Sequence, residues 1–278
     1  MELSLPGEAV RRRYAGRRWA RMSWLWLAAI PLLFFLLFPL LAVLLRIRIG
    51  VLAATLANPQ VVQAVTLSLT TASLSTLLAL LLGTPLALLL ARGRFRGRRV
   101  IDTLIDLPMV LPPSVAGIAL LLAFGRRGLV GAYLNDWGIS LAFTTAAVVL
   151  AQLFVAAPYY VKAAVGGFAG VERDLEQAAA MDGAGSWAIF RHITIPLAWP
   201  VLFGGAVMTW ARALGEFGAT IIFAGNFPGR TQTMPLAIYI GFELDLNVAL
   251  TLSVILLFFS FLVLFIVKGL LRQRVGTL

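Results

Sequence analysis

The sequence predicts an all-α integral membrane protein of about six transmembrane helices in a single membrane domain. Three observations predict it. Of the 278 residues, 60% are hydrophobic and 13% charged, with a mean hydropathy of +0.93, more apolar surface than a soluble domain of this length can hide. Apolar runs long enough to cross a bilayer recur along the chain. Basic residues gather between those runs, mostly in alternate loops.

Residues 1–23 form a basic arm carrying Arg11, Arg12, Arg13, Arg17, Arg18 and Arg21, expected on the inner leaflet, where anionic headgroups attract it. The membrane domain then covers 24–272, and 273–278 form a short tail. The first span, 24–45, is uncharged and begins among Trp19, Trp24 and Trp26. Its apolar run exceeds that of a cleaved signal peptide, so it is expected to be retained. Further spans are expected within 61–91 and 100–124, and over 139–161, 197–224 and 248–267. Each reaches the roughly 20 residues that a tilted helix needs.

Orientation follows from Lys and Arg. An inside N-terminus puts 17 of the 23 basic residues on the inner side, with Arg92, Arg94, Arg96, Arg98, Arg99 and Lys162 among them. Five lie outside (Arg46, Arg48, Arg126, Arg127 and Arg230), and Arg212 lies within a span. Both termini are therefore expected in the cytoplasm of a multi-pass cell-membrane protein.

Composition also excludes several function classes. The chain has no cysteine and one histidine, His192, which leaves no thiolate or histidine metal cluster and no cofactor site to expect in this subunit. No nucleophile is paired with a base, so an intramembrane enzyme is not expected. The basic clusters abut apolar runs rather than an aromatic-interleaved face, which argues against nucleic acid as a partner.

The longest inner loop, 166–192, is too polar for an anchor. Asp174 is placed to cap a helix over 175–182, with Gln177 completing a capping box. Ala178, Ala179 and Ala180 offer a close-approach surface, with Glu176 and Asp182 as charges at its rim. Gly183 and Gly185 break the helix; Ser186 starts a second one bearing Trp187, Ile189 and Phe190, and Pro196 leads into the next span. This loop is either an interfacial connector or a docking surface.

Charges inside spans need a reason, since each costs on the order of 2.5–3.5 kcal/mol at mid-membrane. Arg212 and Glu216 share a helix face and can pair, either lining a path or tethering helices. Thr209 and Thr220 are candidate path donors, and so is Ser114, which follows the helix-breaking prolines Pro112 and Pro113. Asp102 and Asp106 are expected to meet the adjacent arginine cluster. Asn226 and Arg230 sit in the turn-rich outer loop as candidates for the outer mouth.

Two sets of residues carry a resemblance. Gln177-Ala178-Ala179, Gly183 and Ile193-Thr194-Ile195-Pro196 resemble the EAA loop of ABC importer permeases in type and spacing. Gln177 stands where that family has glutamate, with Glu176 just before it, and Ile195 stands where it has leucine. The runs DLPMVLPPSVAG, ARALGEFGATIIFAGN and PGRTQTMPLAIY resemble the molybdate/tungstate permeases of the oxyanion branch.

The resemblance implies a type I importer permease fold with a cytoplasmic coupling helix. It implies a homodimer around one pathway, two ATP-binding cassette ATPase subunits that bind ATP and magnesium, and an extracytoplasmic substrate-binding protein. This chain has no phosphate loop of its own. A sulfate/thiosulfate permease is the near alternative, and an ion-coupled secondary transporter or channel using Arg212 and Glu216 is the alternative of another class.

Overall fold

The computed structural model describes the backbone of residues 6–275 and the side chains of residues 25–269. The tail beyond Val275 lies outside the described residues. The chain divides into two compact units, Met1–Ile49 and Gly50–Leu278.

The first unit is one helix, α1 (Pro6–Arg46). The basic arm and the first span are therefore continuous rather than a loop leading into a helix. Its apolar part, Leu25–Arg46, has 22 residues, about 33 Å at 1.5 Å per residue. Pro31 and Pro39 lie inside it, and apolar side chains surround the axis, as in a membrane span.

The second unit begins with α2 (Ile49–Leu56) and is centred on α3 (Pro59–Arg92), α7 (Thr145–Ala169) and α10 (Ile195–Leu214). Small residues let these three approach closely. The buried stripe of α3 reads Ala64, Ser68, Ala72, Ser75, Ala79, Gly83 and Ala87, a helical period of small side chains suited to packing where apolar burial gives little drive. A Cβ on Gly83 would stand 3.0 Å from Tyr160 and Val161 of α7, and one on Gly205 of α10 only 2.6 Å from Ala163. Hydroxyls bind the helices across this seam: Ser75 donates to the Val149 carbonyl at 3.0 Å, and Thr84 and Tyr160 share a 2.6 Å bond.

The expected third span is two helices. α4 (Arg98–Val110) and α5 (Pro113–Phe124) meet at 115°. Pro112 and Pro113 supply no N–H, and Leu111 before them is extended (φ −63°, ψ 137°), as the residue preceding a proline must be. Among the described residues, five helices are long and apolar enough to cross a membrane, and six spans result if the bent pair counts as one.

After α5, the short α6 (Gly131–Asp136) leads to α7. α7 starts at Thr145 rather than 139, because the Thr144 side chain caps it by accepting from the Ala147 N–H. It runs on to Ala169, so Lys162 and 166–169 belong to the helix, not to the loop.

The loop itself holds α8 (Arg173–Met181) and α9 (Ser186–Ile189). α9, a π-turn at Phe190–Thr194 and α10 then form one continuous 29-residue helix, Ser186–Leu214. Pro196 has no N–H for the His192 carbonyl, and its ring would press on that carbonyl. The widened turn, with Ile195 N–H on the Phe190 carbonyl, accommodates it.

The expected fifth span breaks at 215–217, and α11 (Gly218–Phe223) follows. α12 (Met234–Leu244) is too short to span, and α13 (Leu246–Val275) completes the unit. The segment leading into α12 is buried at Thr231, Gln232 and Thr233. The Met234 N–H is satisfied by Ser68 Oγ at 2.7 Å.

Candidate functional site: the exposed helix pair and the break in the fifth span

α8 has Glu172 at its N-cap with no side-chain cap bond. Asp174 therefore lies inside the first turn and makes no capping box with Gln177; its charge, with that of Glu176, still suits the positive end of the helix. At the other end the Ala184 N–H reaches the Ala179 carbonyl and the Gly183 N–H reaches that of Ala180, at 3.0 and 3.1 Å. This is a Schellman closure with Gly183 at φ +90°. Gly185, not Ser186, caps α9, and Ser186 is its first residue.

Glu176 turns inward instead of standing at the rim. Its Oε1 accepts from Arg92 Nη2 at 2.9 Å and from the buried Thr194 hydroxyl at 2.7 Å. Arg92 also donates to the Val171 carbonyl at 3.1 Å. One carboxylate thus fixes α8 to the end of α3 and to the π-turn. Ile195 likewise supports from within, against the cluster around Phe168 and Leu202.

Asp174, Gln177, Ala178, Asp182, Gly183 and Pro196 remain exposed, and Ala179 and Ile193 are half-buried. Leu175, Met181 (83% exposed) and Trp187 (69%) add large apolar side chains to this face. Such a patch on internally braced helices marks a face that meets another protein or rests on the membrane interface.

The second region is the break after α10. Arg212 Nη1 lies 2.7 Å from Glu216 Oε2, as the four-residue spacing predicts. Glu216, however, lies beyond the helix, which ends at Leu214. Its other oxygen accepts from the Ala219 N–H at 2.9 Å, so the carboxylate staples the end of α10 to the first turn of α11. The Glu216 side chain is 1% exposed and that of Arg212 27%. α11 is pressed onto α5: a Cβ on Gly218 would stand 2.7 Å from that of Pro113, and one on Gly117 only 2.8 Å from that of Ile222. Both prolyl and glycyl breaks therefore meet at one place.

Ser114 is exposed beside this junction. Thr209 and Thr220 are not: both are fully enclosed by this one chain, and their hydroxyls lack partners among the described residues. Enclosure of this kind suits hydroxyls packed against neighbouring helices, the other role open to them.

Asp102 and Asp106 do not meet the arginine cluster. Lys162 of α7 takes both, at 2.9 and 3.0 Å, because α4 lies along α7 and presents the two carboxylates one turn apart. Asn226 and Arg230 separate: Asn226 Oδ1 is buried without a partner among the described residues, while the Arg230 side chain is exposed. The Arg230 carbonyl is held by the Thr145 hydroxyl at 2.9 Å.

Arg92, Thr194 and Lys162 were missed as contact residues. A lone lysine in an apolar run was a usable signal, since such a charge requires a partner. The separation of 84 positions between Arg92 and Glu176 left none for that pair.

The profile of the family described as the inner membrane component of binding-protein-dependent transport systems matches residues 83–277. The chain belongs to this family. The match takes in the helix pair and the break, and it makes this permease a multi-pass membrane component rather than a catalytic subunit.

Among relatives of this permease, the molybdenum transport system permease protein ModB of Mycobacterium tuberculosis is 45% identical over 254 residues, covering 91% of this chain and 96% of that protein. A probable sulfate transport system permease protein, cysT of Chlorella vulgaris, is 37% identical over 155 residues, 56% of this chain and 58% of that one. In fold, a chain of a bacterial ABC transporter involved in alginate import matches with a TM-score of 0.70 at 18% identity, covering 94% of this chain and 96% of that one.

Proposed function

We propose that this chain is the membrane-spanning subunit of an ATP-driven, binding-protein-dependent importer of a tetrahedral oxyanion, molybdate or tungstate. The observation that carries the reading is 45% identity to a molybdenum permease across 91% of this chain and 96% of that protein. The sulfate alternative rests on a lower identity over little more than half of each chain.

In this reading two copies enclose one pathway, and two ATPase subunits hold ATP and magnesium below. A binding protein delivers cargo above, and both termini are cytoplasmic. The ATPase docks on the apolar face of Leu175, Ala178, Met181 and Trp187. Because α9 continues into α10 without interruption, a tilt imposed at Trp187 travels along Ser186–Leu214 to the break at Gly215. The 29 residues make a lever of about 43 Å. The Arg92–Glu176–Thr194 contacts keep α8 moving with it. Cargo passes beside the half-buried Arg212 and the exposed Ser114, through weak contacts that permit release.

The test is reconstitution with the ATPase and binding protein, with molybdate, tungstate and sulfate in competition. Molybdate and tungstate should be taken up and compete with each other, while excess sulfate should not; uptake of sulfate in preference to both would overturn the assignment. Met181→Glu should cost co-purification of the ATPase while leaving the fold intact. Undiminished association and coupling would remove the docking face.

A further inference from the structure

Away from the helix pair, at the other end of α7, three segments of the chain border a cavity of about 320 Å³. Its wall includes Arg126 from the turn after α5, Ser140 and Phe143 from the segment before α7, Thr144 at the α7 N-cap, and Phe227 and Arg230 from the loop after α11. The 25 residues of α7 put this cavity about 37 Å along the helix axis from the loop that carries α8. It therefore opens at the opposite membrane face.

Three sources of positive potential converge there. Arg126 and Arg230 are 104 positions apart in sequence, yet both residues line the one space. Neither has a carboxylate within ion-pair distance among the described residues. Arg126 Nε is already turned toward the Ser140 hydroxyl at 3.4 Å. The N-terminus of α7, a long helix, adds its dipole from the same side. No acidic side chain lines the cavity.

The wall is also held at a conformational cost. Phe143 has φ +62°, the only positive value at a non-glycine among the described residues, a conformation costly for a bulky side chain. It is fixed there by the bond from its N–H to the Phe223 carbonyl at 3.2 Å and by an edge contact with Phe227 at 6.4 Å between ring centroids. The Gly225 turn, φ +73°, brings Phe227 round to it. The strained pair supplies the apolar part of the cavity wall.

The geometry points to a reception site for a tetrahedral oxyanion at the outer face, with Arg126 and Arg230 as the anion-binding residues and the Ser140 hydroxyl as a neutral donor. Guanidinium forks match the edges of a tetrahedral oxyanion, each able to give two hydrogen bonds. Both arginines are exposed, so the site holds its anion weakly. That suits a station from which cargo must move on rather than a store. The inference rests on the oxyanion reading above for its cargo, but it can be tested without transport.

The full chain in lipid nanodiscs is equilibrated with tungstate, at low salt and again at about 0.5 M sodium chloride, where exposed charges are strongly screened. Three proteins are compared: wild type, R126Q/R230Q, and R127Q, whose arginine is exposed but does not line the cavity. Wild type and R127Q should bind tungstate saturably at low salt. R126Q/R230Q should bind roughly ten-fold more weakly or worse, the loss expected of two exposed charge contacts, and high salt should abolish the difference. Equal binding by the double variant, or no saturable binding by wild type, overturns the site.

A second arm separates a free oxyanion from a carboxylate of the delivering protein. If R126Q/R230Q keeps its tungstate affinity but loses stimulation of the ATPase by the binding protein, the cavity is a protein-docking socket and the proposal fails. If tungstate binding behaves as expected but the assembled complex imports no oxyanion, the transport reading fails and the site stands.

Discussion

Removing Arg212 should damage this protein more than neutralising its partner, and the asymmetry follows from burial. Glu216 is 1% exposed, while Arg212 is 27% exposed. Arg212→Ala deletes the 2.7 Å contact to Oε2 and leaves a carboxylate enclosed with only the Ala219 N–H on its other oxygen. Stranding a buried charge in this way costs about 3–5 kcal/mol. Glu216→Gln keeps an acceptor for the Ala219 N–H and leaves a cation that can turn to water, a loss of about 1.5–3 kcal/mol, as for one charge-assisted hydrogen bond. R212Q/E216Q strands nothing and should be milder than Arg212→Ala alone. Unfolding in mixed micelles titrated with a denaturing detergent gives the order directly. An Arg212→Ala variant as stable as Glu216→Gln would mean that water already reaches Glu216. The pair would then line a path instead of stapling α10 to α11.

Two further substitutions probe the joints of the fold. Gly117→Ala places a Cβ 2.8 Å from that of Ile222 and 3.0 Å from the Ala219 carbonyl, so it should lower stability by about 1–3 kcal/mol through overpacking. Gly204→Ala, with nothing within 4 Å of its added Cβ, should be neutral or gain up to about 1 kcal/mol of helix propensity in the same assay. Lys162→Met leaves Asp102 and Asp106 without their cation. Because all three side chains are between a third and a half exposed, global stability should change by only about 1 kcal/mol or less. Amide exchange across α4 should nevertheless quicken and return to normal in Lys162→Arg, and unchanged exchange would show that the clasp holds nothing.

Apolar run length made the helical membrane class and most spans legible, because one residue property integrated over twenty positions decides each of them. Breaks were less legible, although their causes were visible. Pro112 and Pro113 announce a disruption, but whether the helix kinks or turns through 115° depends on what the second half meets. Here α5 turns to receive α11, with Gly117 against Ala219 and Ile222 and Gly218 against Pro113 at the crossing. The end of α10 at Leu214 carried a weaker local sign in Gly215. Its stabilisation by Glu216, from outside the helix, could not be told from an ordinary pair four residues apart.

The loop that carries α8 and α9 divides along the same line. Its spacing identified the segment and its glycine closure, features set by neighbours within a few residues. Which face points outward was misjudged at Glu176, because Arg92 and Thr194 capture it from elements distant in sequence. That capture explains how Gln177 can stand where the family has glutamate without loss of a braced helix: the carboxylate that fixes α8 is the preceding one, and Gln177 is left free on the exposed face. Substituting Gln177 should therefore disturb partner affinity alone, whereas substituting Glu176 should loosen α8 itself, and amide exchange across Arg173–Met181 distinguishes the two.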